Sequence, residues 1–321
     1  MAPRGFPSGV YVPTVTFFTA DDTVDVAATA KHAVRLVRNG VVGLVNLGSF
    51  GEGPHLSREE KKAVNAASRK ALDDAGFSQV PILSGVADNS VVGTVTLAED
   101  AAAAGADAIL LVAPSYYRAA MTEPVLKGYF TAVADRSPLP IVIYNFPGIV
   151  AGIDLTSEML IELAAHPNII GTKFTCQSSG KLARVAHALE VVAPASTASV
   201  ASGGYLAFAG MADFLLQALS VGGTGVISGP ANIVPRTVVR VYDLFASGKY
   251  EEAMAAQRSL SETDYVLTNL GAEGTKAALQ AYFGYGGHVR APLPRIDEKG
   301  AAEIAAQIKE IIDLEISLGG N

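Results

Sequence analysis

Cysteine and tryptophan are almost missing from this sequence: Cys176 stands alone and no tryptophan occurs in 321 residues. A lone thiol excludes an internal disulfide framework and leaves no cysteine pair for a zinc site. A reducing compartment is then the simpler setting, and a buried small hydrophobe the simpler role for Cys176. Charge is scarce too. Charged residues make up 17% of the chain and hydrophobic ones 50%, against roughly 25% charged in ordinary soluble domains, so much of the chain must be buried and a disordered or fibrous protein is excluded. Basic residues (24) are outnumbered by acidic ones (31), for a net charge of −7. That balance repels a phosphate backbone, and no nucleic-acid partner is expected. No uninterrupted apolar run reaches the roughly 18 residues that span a bilayer, and the opening MAPRGFPSG lacks the apolar core of a secretory signal. These absences predict a cytoplasmic protein with no membrane partner.

What the sequence does hold is a rhythm. Short apolar runs alternate with longer amphipathic ones: GVYVPTVTFF then 24–38, VVGLVNLG then 57–75, VPILSG then 90–104, ADAILLVAP then 123–134. LPIVIYN with 156–165, NIIGTKF with 181–189, YLAFAG with 212–221 and GGTGVIS with 233–245 complete eight units. Strands that read as near-continuous apolar runs are buried on both faces, as in parallel sheets, and eight such units predict a (β/α)8 TIM barrel, of the α/β class. The rival is an open doubly wound sheet, whose nucleotide fingerprint should follow the first strand; TFFTADD there offers no glycine. Beyond Gly248 the pattern is helical only, near 251–270, 275–283 and 299–318. The expected organisation is a catalytic barrel over 8–248 and a C-terminal helical extension over 249–321. The Ala/Ser/Gly-rich stretch 190–204 buries little surface and reads as a mobile loop.

In such barrels the reacting groups sit at the C-terminal strand ends. The polar residues there are Ser49 after strand two, Ser115 to Tyr117 after strand four, Tyr144 and Asn145 closing strand five, and Lys173 with Thr175 closing strand six. An ammonium inside an apolar strand is disfavoured by desolvation, which frees the amine as a nucleophile able to form a Schiff base. The alternative for Lys173 is a snorkelling side chain. Tyr144, on the neighbouring strand, can act as general acid and base, or be a core tyrosine with its hydroxyl satisfied. Gly48-Ser49-Phe50-Gly51-Glu52 forms a glycine-flanked turn whose N–H groups, with the Ser49 hydroxyl, can hold a carboxylate.

GSFGE, PSYY, YNFPG and GTKFT, in this order, with RAPLP at 290–294, resemble the pyruvate-dependent aldolase family that includes dihydrodipicolinate synthase and N-acetylneuraminate lyase. The resemblance covers about residues 8–295. It implies Lys173 as the imine-forming lysine, Tyr144 as the proton shuttle, Ser49 and its turn as carboxylate holder, and either Tyr116 or Tyr117 reaching across a dimer interface. It implies no cofactor and no metal, because the covalent lysine imine with pyruvate supplies the electron sink. Gly48, Phe50, Ile149, Thr175, Gly210 and Ile227 complete the expected substrate-binding set, and the partners are a 2-keto acid, an aldehyde and further copies of the chain, as a dimer of dimers.

Two departures narrow the substrate. Ile149 stands where dihydrodipicolinate synthase has an arginine, so no guanidinium is offered to a second carboxylate. Phe50 replaces a hydroxyl or amide side chain and removes one polar contact. The whole looks most like the fungal branch that cleaves 2-keto-3-deoxy sugar acids such as 3-deoxy-L-threo-hex-2-ulosonate, where asparagine is expected in place of Phe50. A 4-hydroxy-2-oxoglutarate aldolase and a non-catalytic keto-acid-binding protein are the other readings. Gly222, Gly223 and Gly225 are better explained by tight strand packing than by phosphate binding. Histidines 32, 55, 166, 187 and 288 have no metal-ligand spacing and read as surface or capping residues. Ser57 and Glu60 have capping-box spacing, which makes the charged run after them a solvated helix start.

Overall fold

The computed structural model describes residues 5–191 and 204–320; most of the Ala/Ser/Gly-rich stretch lies outside them. Eight parallel strands close into a barrel in sequence order: β1 (Gly9–Pro13), β2 (Gly43–Asn46), β3 (Ile82–Val86), β4 (Ala108–Val112), β5 (Ile141–Asn145), β6 (Ile169–Phe174), β7 (Leu206–Ala209) and β8 (Gly225–Ile227). The intervening helices are α1 (Val26–Arg38), α2 (Arg58–Asp74), α3 (Val91–Ala103), α4 (Glu123–Ala134), α5 (Ser157–Leu163), α6 (Ser179–Ala188), α7 (Leu215–Ser220) and α8 (Pro235–Ala246). Many starts are set by one side chain: Asp25, Ser90, Thr156 and Ser178 each accept the backbone N–H three residues on. Ser57 and Glu60 form the expected reciprocal capping box. The last unit closes on Gly225, where a Cβ would lie 1.9 Å from the Gly9 carbonyl oxygen, so glycine there serves strand packing.

Strand side chains alternate between two cores. Tyr11, Val45, Leu83, Leu110, Val142 and Phe208 fill the barrel interior, while Leu44, Ile82, Ile109 and Phe174 pack with Leu36, Leu72 and Leu160 of the helices. Cys176 is half-buried against this second core rather than enclosed.

After the barrel come α9 (Tyr250–Asn269), α10 (Gly271–Phe283), α11 (Glu298–Gln307) and α12 (Lys309–Ser317). The single helix predicted over 299–318 is therefore two. They meet at Ile308, which is fully buried with Ile312 against Ile233, Val234 and Leu267. Glu315 of α12, also fully buried, accepts the Arg236 and Thr237 backbone N–H groups at 2.9 and 2.8 Å, and so caps α8 from outside its own sequence neighbourhood. The helix predicted over 212–221 begins instead as a 3-10 turn, Ala212–Phe214, and only then becomes α7.

His32 also departs from expectation. It lies on the inner face of α1, 1% exposed, with Nδ1 2.9 Å from the Tyr285 hydroxyl and Nε2 3.0 Å from Asn232 Oδ1. Burial, with the neighbouring Arg35 charge, pushes its pKa down to about 3, so the ring stays neutral. The tilted stack of Phe17 on Tyr285 completes a junction between β1, α1 and the segment after α10. No described helix is long and apolar enough to cross a membrane.

Candidate active site

The two-residue alternation of β6 decides where its lysine points. Phe174 packs outward among the helices, so Lys173 faces the barrel interior, where it is 4% exposed. Its register partner on β5 is Tyr144, itself 5% exposed, and Lys173 Nζ lies 4.2 Å from the centre of the Tyr144 ring. The other two buried lysines among the described residues are paired with carboxylates: Lys181 with Asp154, and Lys276 with Glu52 at 2.5 Å. Lys173 has no carboxylate at that range among the described residues. Burial pulls Lys276 below the ordinary lysine range, and the Glu52 charge opposes that pull.

Ser49 completes the trio, with Oγ 3.4 Å from the Tyr144 hydroxyl. Its turn leaves β2 through Leu47, whose φ of 62° is in the left-handed region, and closes by Glu52 N–H donating to the Ser49 carbonyl and Gly53 N–H to the Gly48 carbonyl, at 3.2 and 3.3 Å. The fold back on itself leaves no room at Gly53, where a Cβ would lie 2.1 Å from the Leu47 carbonyl oxygen. Phe50 is half-buried. Its ring lies over Gly229, where a Cβ would come within 2.5 Å of it, and packs against the cluster of Val15, Phe17, Leu279 and Tyr285.

The rest of the expected set falls in four places. Thr175, just past β6, has a buried Oγ1 with no hydrogen-bond partner among the described residues, and Gly210, just past β7, makes room for it, since a Cβ there would sit 2.1 Å away. Ile227 packs in the barrel interior with Tyr144. Ile149 lines a cavity of about 410 Å³ together with Ser49, His55, Asp88, Asn89 and Ser115, and no lysine or arginine is among the described residues lining it. Tyr116 and Tyr117 are 77% and 68% exposed, with ring centres 5.0 Å apart in an edge-to-face pair. No group of three or more metal-ligating side chains occurs among the described residues.

Two contributors were not found from sequence. Asn89, past the end of β3, accepts the Ser115 and Tyr116 backbone N–H groups, both at 2.9 Å, and so fixes the approach to the tyrosine pair. The polar VADNS ending of strand three was its signal. Lys276 sits in α10, far from any strand end, and nothing in its local pattern marks it.

A closed (β/α)8 barrel carrying an interior lysine and tyrosine on adjacent strands, beside a glycine-flanked serine turn, defines a class. This chain belongs to the dihydrodipicolinate synthetase family, whose model matches residues 6–311. It is 48% identical over 319 residues to the L-threo-3-deoxy-hexylosonate aldolase of Hypocrea jecorina, covering 99% of this chain and all of that one. A probable mitochondrial 4-hydroxy-2-oxoglutarate aldolase of Emericella nidulans is 44% identical over 318 residues, 99% of each chain. Among solved structures, E. coli YagE in complex with pyruvate superposes with a TM-score of 0.83 at 30% identity, over 95% of this chain and 98% of that one.

Proposed function

We propose that this chain is a Schiff-base-forming class I aldolase that reversibly cleaves a 2-keto-3-deoxy sugar acid, such as 3-deoxy-L-threo-hex-2-ulosonate, to pyruvate and an aldehyde such as L-glyceraldehyde. One observation carries it: among the described residues Lys173 is the buried lysine without a carboxylate partner, set against the Tyr144 ring at 4.2 Å. A lysine amine engaged by a carboxylate is tied up in that contact, whereas Lys173 Nζ is left open to a ketone carbon. The Lys173 amine adds to the C2 ketone, and Tyr144 protonates the departing hydroxyl as the carbinolamine loses water. A base, with Tyr144 nearest, takes the C4 hydroxyl proton. The C3–C4 bond breaks, its electrons pass into the iminium as an enamine, and C4 leaves as the aldehyde carbonyl. Protonation at C3 and hydrolysis of the imine release pyruvate and restore the amine. The Ser49 turn holds the keto-acid carboxylate through its N–H groups and hydroxyl.

The cavity beside Ser49 supports a polyol rather than a second carboxylate. Its polar lining is Ser49, Glu52, His55, Asp88, Asn89 and Ser115; these suit hydroxyl groups, and a further carboxylate beside Glu52 and Asp88 with no lysine or arginine in the lining is costly. The sugar acid is therefore expected to exceed 4-hydroxy-2-oxoglutarate in kcat/KM by about tenfold or more. Steady-state assays of both substrates check this, and an equal or reversed ratio sinks the sugar-acid assignment while leaving the aldolase.

Assembly as a dimer of dimers belongs to the same reading, supported by the two exposed tyrosine rings at the barrel mouth, an apolar surface that a second copy can cover. Activity is expected to fall on dilution in step with dissociation seen by sedimentation. A fully active monomer at assay concentration refutes a shared site. A reducing, cytoplasmic setting is proposed on the lone half-buried Cys176.

A further inference from the structure

Glu52 ends the Ser49 turn in a left-handed conformation, φ 51°, which a residue with a side chain keeps only when its surroundings hold it there. What holds it comes from the C-terminal helices. Its carboxylate, 2% exposed, accepts from Lys276 Nζ of α10 at 2.5 Å and from the Arg290 backbone N–H at 2.8 Å. Lys276, fully buried, also donates to the His288 carbonyl at 2.8 Å. Arg290 in turn grips Glu60 of α2 through both carboxylate oxygens, at 2.9 and 2.7 Å, and donates to the His55 carbonyl at 3.0 Å. The stretch from Glu52 to Glu60 is thus fastened at Glu52, His55 and Glu60 from α10 and the segment after it.

A fully buried ion pair gains little net stability, because desolvation offsets attraction; what it supplies is a fixed direction. Here that direction reaches the substrate site by one covalent step. The N–H that closes the turn onto the Ser49 carbonyl is that of Glu52 itself, so the anchored carboxylate and the turn-closing donor belong to one residue. We propose that Glu52 and Lys276 are positioning residues for keto-acid binding: the ion pair from α10 locks the far end of the turn, so the C-terminal helices set the geometry in which the substrate carboxylate is held. The inference rests on the reading of the Ser49 turn as carboxylate holder.

Glu52→Gln keeps the size and an acceptor for Arg290 but removes the charge, Lys276→Met removes the opposing charge, and the double variant leaves a neutral pair. KM and kcat for the sugar acid, thermal midpoints, and borohydride capture of pyruvate on Lys173 are measured for all three and for the unsubstituted enzyme. Glu52→Gln is expected to raise KM by about tenfold or more with kcat within about threefold, the pattern of lost binding common to ground and transition states. The double variant is expected to regain the thermal midpoint lost in Lys276→Met and to keep the raised KM. Should Lys276→Met fail to fold, the other two variants decide. Recovery of KM together with stability in the double variant, or an unmoved KM in Glu52→Gln, overturns the positioning role. Capture of pyruvate by the unsubstituted enzyme with KM unmoved overturns this inference alone, whereas no capture overturns the aldolase reading along with it.

Discussion

Lys173→Ala is expected to abolish covalent capture of pyruvate and to lower cleavage by about 10³-fold or more, since the imine is the electron sink on which C3–C4 scission depends. In the unsubstituted enzyme, borohydride reduction in the presence of pyruvate should add one adduct mass, located by peptide mapping on Lys173. The two other buried lysines are internal controls. Lys181 is committed to Asp154 and Lys276 to Glu52, so each Nζ is engaged by a carboxylate and should stay unmodified. Removing the Lys173 side chain leaves a space in the barrel interior between Tyr144 and Phe208, its register partners on β5 and β7. A lowered thermal midpoint is therefore expected, and it must be separated from lost chemistry by assaying below that midpoint. An adduct on another lysine, or cleavage surviving the substitution, rejects the mechanism.

The eight-unit barrel was legible because each strand is buried on both faces and therefore reads as a short apolar run, while the helices between are longer and α1, α2, α3, α5 and α6 open on a capping side chain. The placement of Lys173 and Tyr144 on adjacent strands was legible because each closes an apolar run, while the roles expected of them came from the family resemblance. The misses share a different cause. Glu315 capping α8, Lys276 pairing with Glu52, and His32 bridging Tyr285 and Asn232 are contacts between residues that lie 78, 224, 253 and 200 positions apart. Local periodicity carries no signal for such pairs. The break at Ile308 between α11 and α12 has no proline or glycine to announce it; it follows from packing Ile308 and Ile312 into one cluster with Ile233 and Val234. Phe50 was legible as a departure from the family pattern, but its direction was not: the glycine that receives its ring is Gly229, at the other end of the barrel sequence.

Tyr144→Phe is expected to lower kcat and kcat/KM together by about 10²-fold or more, the range for losing a positioned general acid or base. The substitution keeps the ring that packs beside Lys173, Phe146 and Ile227 and removes only the hydroxyl, whose one hydrogen-bond partner among the described residues is Ser49 Oγ at 3.4 Å. The thermal midpoint should therefore move little, because no buried donor or acceptor is left behind in an apolar core. Borohydride capture of pyruvate on Lys173 should still occur but more slowly, since carbinolamine dehydration loses its proton donor while the nucleophile is untouched. The pairing of results is what identifies the role. A change confined to KM makes the hydroxyl a binding group only, and an unchanged rate of capture with slowed cleavage moves its work from imine formation to the removal of the C4 hydroxyl proton.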